Sequence, residues 1–158
     1  MEENVSTMSP SEVAKDLLAS KWDGDLPVNS VAIANSLGLK VYSSNSVPQG
    51  EGRLCRVDGH LAILVCATDS NVRKRFTTFH EIGHYVLGHY KGDTLHRKYG
   101  LSYDPREIAA DAFAAEMLMP ESSIRACVKK GYDFQKLLNT FQASAPAMDR
   151  RLKILGIV

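Results

Sequence analysis

The chain has 158 residues, 44% of them apolar, and a formal net charge of +1. This length provides the core of one domain but not of two, so we expect a single domain over residues 9–158, preceded by a flexible segment, residues 1–8. The near-neutral charge and the lack of a long basic stretch argue against direct DNA binding, although seven Lys/Arg against three Asp/Glu from Pro120 onward place any basic surface in the C-terminal part.

The sequence lacks the features of an exported or membrane protein. The polar N-terminus "MEENVSTMSP" has no apolar core, and the longest apolar run, "LAILVCA", is far shorter than a membrane span. Cys55, Cys66 and Cys127 are odd in number and show no C-x-x-C spacing, which indicates free thiols in a reducing compartment. We therefore expect a soluble, cytoplasmic protein.

The N-terminal half predicts two helices and then three strands. The capping box "SPSE" opens an amphipathic helix that runs to about Lys21. A second helix begins near Asn29 and is ended by Gly38, and "LKVYS" after it predicts a short strand. The runs "GRLCRV" and "HLAILV" flank Asp58-Gly59, which is a strong signal for a two-residue hairpin turn.

The hairpin turn also predicts which strand residues face each other. If Val57 faces His60, then Cys55 and Cys66 are not opposite each other. This register argues against a disulfide between them.

The C-terminal half predicts five helices. The pattern is helical from about Ser70 through His89, and "YKGDTLHRKYGLSY" after it reads as a loop. Asp104 and the proline that follows it begin the helix "PREIAADAFAAEMLM", which should end before Pro120. The remainder, residues 120–158, predicts a helical subregion of three short helices with capping residues or prolines at their starts.

The segment "FHEIGH" has the pattern of a catalytic metal site. On a helix, His80 and His84 are about 40° apart in azimuth and about 6 Å apart in height, so both imidazoles can reach one ion. Zinc suits two such nitrogens, a carboxylate as third protein ligand and an open position for water. Glu81 lies beside this face and can take a proton from the water. Because the motif also arises by chance, a partly exposed helix with surface histidines is the alternative.

The next helix offers the missing carboxylate. "EIAAD" places Glu107 and Asp111 on one face of a helix whose small residues allow close packing against a neighbour. Two stacked carboxylates beside an apolar face are costly unless they are paired or bind a cation. We expect Glu107 to be the third ligand and Asp111 to accept a hydrogen bond from a histidine's other nitrogen. Spacing alone leaves the reverse assignment open, with Asp111 as ligand and Glu107 on the surface.

Several neighbouring residues are expected to lie outside the site. On a regular helix His89 faces away from both motif histidines, so we interpret it as a helix-end histidine favoured by the helix dipole. Glu116 lies about 180° from Glu107 and is expected to be solvated. The basic run "RKR", Arg73 to Arg75, is expected to be a solvated first turn.

Hydrolysis would also need a group that stabilises the oxyanion. We favour Tyr103 as this catalytic residue because it lies at the start of the Glu107 helix. The other candidates are Tyr85, His96, Tyr99 and Arg150.

Several separated segments together resemble one family. "RFTTFHEIGHYVLGH" followed by "REIAADAFAAEMLMP" resembles the ImmA/IrrE family of bacterial and phage metallopeptidases, whose pattern couples H-E-x-x-H to a downstream E-x-x-A-[ND]-x-F-A-A-x-x-L-M-P helix. "LPVNSVAIANSLGLKVY" and "FQASAPAMDRRLKILG" are also similar to family segments, so the resemblance covers about Leu26 to Gly156. It implies an α+β, mainly helical zincin-like fold with a three-stranded sheet packed on the H-E-x-x-H helix.

The resemblance also implies an activity. It implies a gluzincin-like zinc endopeptidase with His80, His84 and Glu107 as Zn²⁺ ligands, Glu81 as the base and Asp111 as the acceptor of a hydrogen bond from a ligand histidine. The implied substrate is a helix-turn-helix transcriptional repressor, whose cleavage derepresses a mobile element, a prophage or a stress response.

Other functions are compatible with the same residues. The chain could bind zinc and sequester a repressor or toxin partner without cleaving it. The tail "LLNTFQASAPAMDRRLKILG" resembles two short helices with a turn, so a DNA-contacting regulator is a further alternative. A sheet edge of the hairpin could hold an extended substrate by strand addition, unless protein covers both edges.

Overall fold

The computed structural model describes residues 8–90 and 104–158, and it has the predicted mainly helical α+β fold. In chain order the elements are α1 (Pro10–Lys21), α2 (Ser30–Ser36), β1 (Lys40–Ser44), β2 (Gly52–Val57), β3 (His60–Cys66), α3 (Asn71–Val86), α4 (Pro105–Leu118), α5 (Glu121–Lys129), α6 (Phe134–Phe141) and α7 (Ala145–Ile154). Residues 1–7 and 91–103, which include most of the predicted flexible segment and of the predicted loop, lie outside the described residues. Within the described ranges, no helix is long and apolar enough to cross a membrane.

Side-chain caps begin the helices that the sequence predicted. Ser9 accepts the N–H of Glu12, and Asn29 accepts the N–H of Ala32. Ser70 caps α3 and Asp104 caps α4 in the same way. Each cap satisfies a backbone donor that has no partner inside the helix. Ser70 and Asp104 thereby fix the starts of α3 and α4, the helices that carry the predicted metal ligands.

The three strands form one mixed sheet in the order β1-β3-β2. β3 pairs with β1 in parallel and with β2 in antiparallel fashion, and Val57 faces His60 as predicted. Cys55 is therefore opposite Ala62, and Cys55, Cys66 and Cys127 are all free thiols. Helix α3 follows β3 directly and packs on both strands of the hairpin.

A close approach between α3 and α4 dominates the core around the site. Phe79 of α3 and Phe113 of α4 are fully buried. A Cβ on Gly83 would lie 2.9 Å from Cδ1 of Phe113 and 3.3 Å from the Cα of Ala110, so only glycine leaves room for the two backbones at this distance. Since Glu107 lies one turn before Ala110, this contact brings its carboxylate toward α3.

The prediction that Glu116 is solvated is wrong. It is 2% exposed, and its Oε1 lies 3.0 Å from Nη2 of Arg151 on α7. Its Oε2 accepts the N–H of Glu121 at the start of α5, which has no side-chain cap of its own. Helix α4 packs against α1 as well as α3, so both of its sides are covered and the face opposite Glu107 is not a solvent face.

The prediction that the run Arg73 to Arg75 is a solvated first turn is wrong for Arg75, which is partly buried, whereas Arg73 is exposed as predicted. Nη2 of Arg75 donates to the carbonyl of Val28 at 2.7 Å, and burial lowers the pKa of its guanidinium. Nη2 of Arg73 donates to the carbonyl of Gly50 at 2.7 Å. The start of α3 is therefore held by two loops that lie before it in the chain.

Candidate metal centre

The two motif histidines lie on one buried face of α3. His80 is 7% exposed and His84 is 1% exposed. Their Nε2 atoms lie 3.1 Å apart, and the rings meet edge to face. The four-residue spacing thus directs both Nε2 atoms to one point, and the alternative of an exposed helix with surface histidines is wrong.

Helix α4 brings a carboxylate to the same point. Oε2 of Glu107 lies 2.6 Å from Nε2 of His80 and 3.1 Å from Nε2 of His84. Among the described residues these three form a group whose ligand atoms all lie within 4.8 Å of one another, as a metal ion requires. Ligand atoms at about 2.0–2.1 Å from a tetrahedral zinc lie about 3.3 Å apart, so a small opening of this triangle is enough for the ion. Two imidazoles and a carboxylate are also donors that zinc accepts.

Asp111 faces the other nitrogen of His80. Its Oδ1 lies 2.7 Å from Nδ1, and its side chain is 56% exposed, compared with 29% for that of Glu107. With Nδ1–H donated to Asp111, the Nε2 lone pair is left for a metal. Because the two carboxylates lie on opposite nitrogens of one ring, the geometry favours Glu107 over Asp111 as the ligand.

The prediction that His89 faces away from the site is wrong. Its Nδ1 lies 2.9 Å from Nδ1 of His84, and the ring centroids are 5.1 Å apart. Helix α3 ends at Val86 and the chain turns at Gly88, which has φ +76°, so the regular helix on which the prediction rested does not reach His89. Burial, together with the nearby His84, lowers the pKa of His89, which favours its neutral form.

Glu81 is fully buried on the side of α3 that faces the hairpin. A Cβ on Gly52 of β2 would lie 2.9 Å from Oε1 of Glu81 and 2.5 Å from Cγ2 of Thr77. The first residue of β2 therefore lies directly against the carboxylate that is expected to act as base.

Only two of the five candidates for stabilising the oxyanion lie within the described residues. Tyr103, His96 and Tyr99 lie outside the described residues, so the choice of Tyr103 stays a prediction. Tyr85 and Arg150 are exposed, on α3 and α7 respectively.

Sequence reasoning missed two residues beside the site, His89 and Gly52. The signal for His89 was Gly88, because a glycine just after a helical pattern ends the helix and reverses the chain. Gly52 is brought to Glu81 by the packing of the hairpin on α3, and no local pattern indicates that contact.

Comparison with known proteins agrees with this arrangement. The sequence profile of the IrrE N-terminal-like domain, a peptidase family, matches residues 34–153, which is most of the chain and includes the histidines and both carboxylates of the centre. A comparison with curated proteins gave no match. The matched range and the His-His-Glu group together lead to one conclusion: the chain belongs to the IrrE N-terminal-like domain family, with a metallopeptidase type of function.

Proposed function

We propose that the protein is a zinc-dependent endopeptidase that cleaves a helix-turn-helix transcriptional repressor. The observation that carries the chemistry is the convergence of Nε2 of His80, Nε2 of His84 and Oε2 of Glu107 in a chain of a peptidase family. These three residues would hold the ion, and Asp111 would orient His80 through its Nδ1. A bound zinc ion would supply an acidified water molecule and polarise the carbonyl of the scissile bond.

Proton transfer is assigned to Glu81. Its carboxylate would accept a proton as the water oxygen attacks the carbonyl carbon, and would return it to the nitrogen as the C–N bond breaks. The burial of Glu81 against Gly52 keeps bulk water away from this carboxylate. Tyr103 is the proposed stabiliser of the oxyanion.

The substrate is proposed to bind as an extended strand along β2. In the described part of the chain β2 pairs only with β3, so it is an edge of the sheet. Its first residue, Gly52, lies against Glu81, so a peptide added to this edge would pass close to the base. Main-chain hydrogen bonds give such binding affinity for unfolded segments of many sequences, so an exposed linker of the repressor is the expected target.

The repressor is proposed from the family resemblance. The test is to incubate the purified protein with the full-length helix-turn-helix repressor encoded nearest to its gene. Wild type and Glu81→Gln should be compared at equal zinc content, with Glu12→Gln, an exposed glutamate on α1, as the control. We expect repressor fragments with wild type and the control and none with Glu81→Gln. Equal cleavage by Glu81→Gln would exclude Glu81 as the base.

The same incubation, carried out with the repressor bound to its operator DNA, separates cleavage from sequestration. If an intact repressor is released from its operator by wild type and by Glu81→Gln alike, the protein acts by binding and the peptidase proposal fails. Metal analysis tests the cofactor: we expect about one zinc per chain, and none after combined His80→Ala and His84→Ala substitution.

A further inference from the structure

We infer that His89 is a positioning residue of the metal centre, whose ring accepts the Nδ1–H of His84 and thereby directs Nε2 of His84 toward the ion. This inference rests on the proposed zinc site. It adds a residue that belongs neither to the H-E-x-x-H motif nor to the Glu107 helix.

The backbone at the end of α3 returns His89 to His84. The N–H of Gly88 donates to the carbonyl of Tyr85 at 3.2 Å, and the N–H of His89 donates to the carbonyl of His84 at 2.8 Å. With Gly88 in the left-handed region, these two bonds form a Schellman motif. His84 and His89 are therefore joined by a backbone bond as well as by their rings, which ties the position of one ring to that of the other.

The chemistry of metal ligation decides which nitrogen of His84 carries the hydrogen that lies between the two rings. A histidine binds a metal through an unprotonated nitrogen. Nε2 of His84 faces Glu107 and His80, so its neutral ring carries the hydrogen on Nδ1. Nδ1 of His89, 2.9 Å away, must then accept this hydrogen, and His89 carries its own hydrogen on Nε2.

Each metal-binding histidine thus has its own acceptor. His80 donates to the carboxylate of Asp111 from α4, and His84 donates to the imidazole that follows the end of α3. Acceptors of this kind fix the tautomer and the ring orientation of a ligand, and their removal weakens metal binding by about 10–100-fold. A neutral imidazole adds no negative charge, so we expect the lower part of that range for His89.

Three substitutions test the inference. His89→Phe keeps a planar ring and removes the acceptor, whereas His89→Asn places an oxygen near the position of Nδ1. His60→Phe is the matched control, because His60 is exposed at the hairpin turn. Zinc affinity is measured by competition with a chromophoric chelator, and the visible spectrum of the Co²⁺-loaded protein reports the ligand geometry.

We expect His89→Phe to bind zinc about tenfold more weakly, with altered Co²⁺ bands, and His89→Asn to recover most of the affinity. His60→Phe should match wild type in both measurements. Unchanged zinc affinity and Co²⁺ bands in His89→Phe would overturn the inference and leave the zinc site intact. Equal losses in His89→Phe and His89→Asn would also overturn it, because they would mean a purely structural role.

Failure of the proposed zinc site gives a different result. In that case wild type binds no zinc, or the His84→Ala variant binds zinc as tightly as wild type does. If His89→Phe does not fold, His89→Ala takes its place, with thermal unfolding of the metal-free proteins as the check. Zinc binding by a folded His89→Ala at wild-type affinity would overturn the inference in the same way.

Discussion

Gly52 of the edge strand and Glu81 of α3 are so close that a Cβ at position 52 would lie 2.9 Å from the Oε1 atom of the glutamate. The same Cβ would lie 2.5 Å from Cγ2 of Thr77, a distance that real side chains do not tolerate. Since Gly52 does not have a positive φ, the glycine is needed for space and not for its backbone conformation. The absence of a side chain at position 52 therefore allows β2 to pack directly against Glu81, the proposed base.

Gly52→Ala should impair both stability and catalysis. The added methyl group overpacks the contact with Thr77, which typically costs about 1–3 kcal/mol of unfolding free energy. It also displaces the carboxylate of Glu81, and a misplacement of about 1 Å can cost on the order of 100-fold in kcat. Denaturant unfolding and steady-state kinetics at saturating zinc measure the two effects.

A second substitution separates these two effects. Thr77→Ser removes the Cγ2 atom, so Gly52→Ala combined with Thr77→Ser should recover stability. The contact with Glu81 persists in this double variant, and kcat should stay low. Recovery of wild-type kcat along with stability would show that Gly52 acts only through packing.

Sequence patterns predicted the local structure around the centre because its determinants are local. The caps Ser70 and Asp104 fix the starts of α3 and α4, and the turn Asp58-Gly59 fixes the register of the hairpin. The four-residue spacing of the two histidines brings their Nε2 atoms together without help from the rest of the chain.

The errors arose where a distant part of the chain decides the environment. Glu116 is on the outer side of α4 by helical periodicity, yet its partner Arg151 lies on the last helix. Arg75 donates to a backbone carbonyl in a loop that precedes the sheet. His89 is different, because a local signal, Gly88, ends the helix before it and turns the chain back toward His84.

Glu107 and Asp111 should differ in how strongly they support metal binding. Glu107→Gln removes the carboxylate of a proposed ligand, whereas Asp111→Asn keeps an oxygen that accepts from His80 and removes only its negative charge, which should cost about tenfold in zinc affinity. We expect the larger loss in Glu107→Gln, measured by chelator competition at constant pH. Asp149→Asn is the matched control, because its side chain is 54% exposed, close to the 56% of Asp111. A larger loss in Asp111→Asn would support the reverse assignment, with Asp111 as the ligand.

Gly83→Ala should separate α3 from α4. Alanine is normally better than glycine within a helix by about 1 kcal/mol, so an exposed position would gain stability. Here the methyl group would meet Phe113 at 2.9 Å and Ala110 at 3.3 Å, and we expect a net loss of about 1–3 kcal/mol instead. Because Glu107 moves with α4, zinc affinity should fall as well.

A double-mutant cycle locates this effect. Phe113→Leu makes room for part of the added methyl group, so Gly83→Ala should cost less in the Phe113→Leu background than in wild type. Thermal and denaturant unfolding of the four proteins give the coupling. Strict additivity of the two substitutions would place the strain elsewhere.

Arg151→Met should destabilise the fold strongly without changing the chemistry. The Arg151 side chain is 5% exposed, and its guanidinium donates both to Glu116 and to the carbonyl of Met119. Its removal leaves the buried carboxylate of Glu116 without its main partner, which typically costs about 3–5 kcal/mol.

Because the cost comes from an uncompensated charge, Arg151→Met combined with Glu116→Gln should be more stable than the sum of the single substitutions predicts. Urea unfolding of metal-free protein measures this, and kcat at saturating zinc should stay near the wild-type value while the variant is folded. A loss below about 1 kcal/mol would mean that Lys15, whose Nζ lies 3.9 Å from Glu116 Oε1, already compensates this charge.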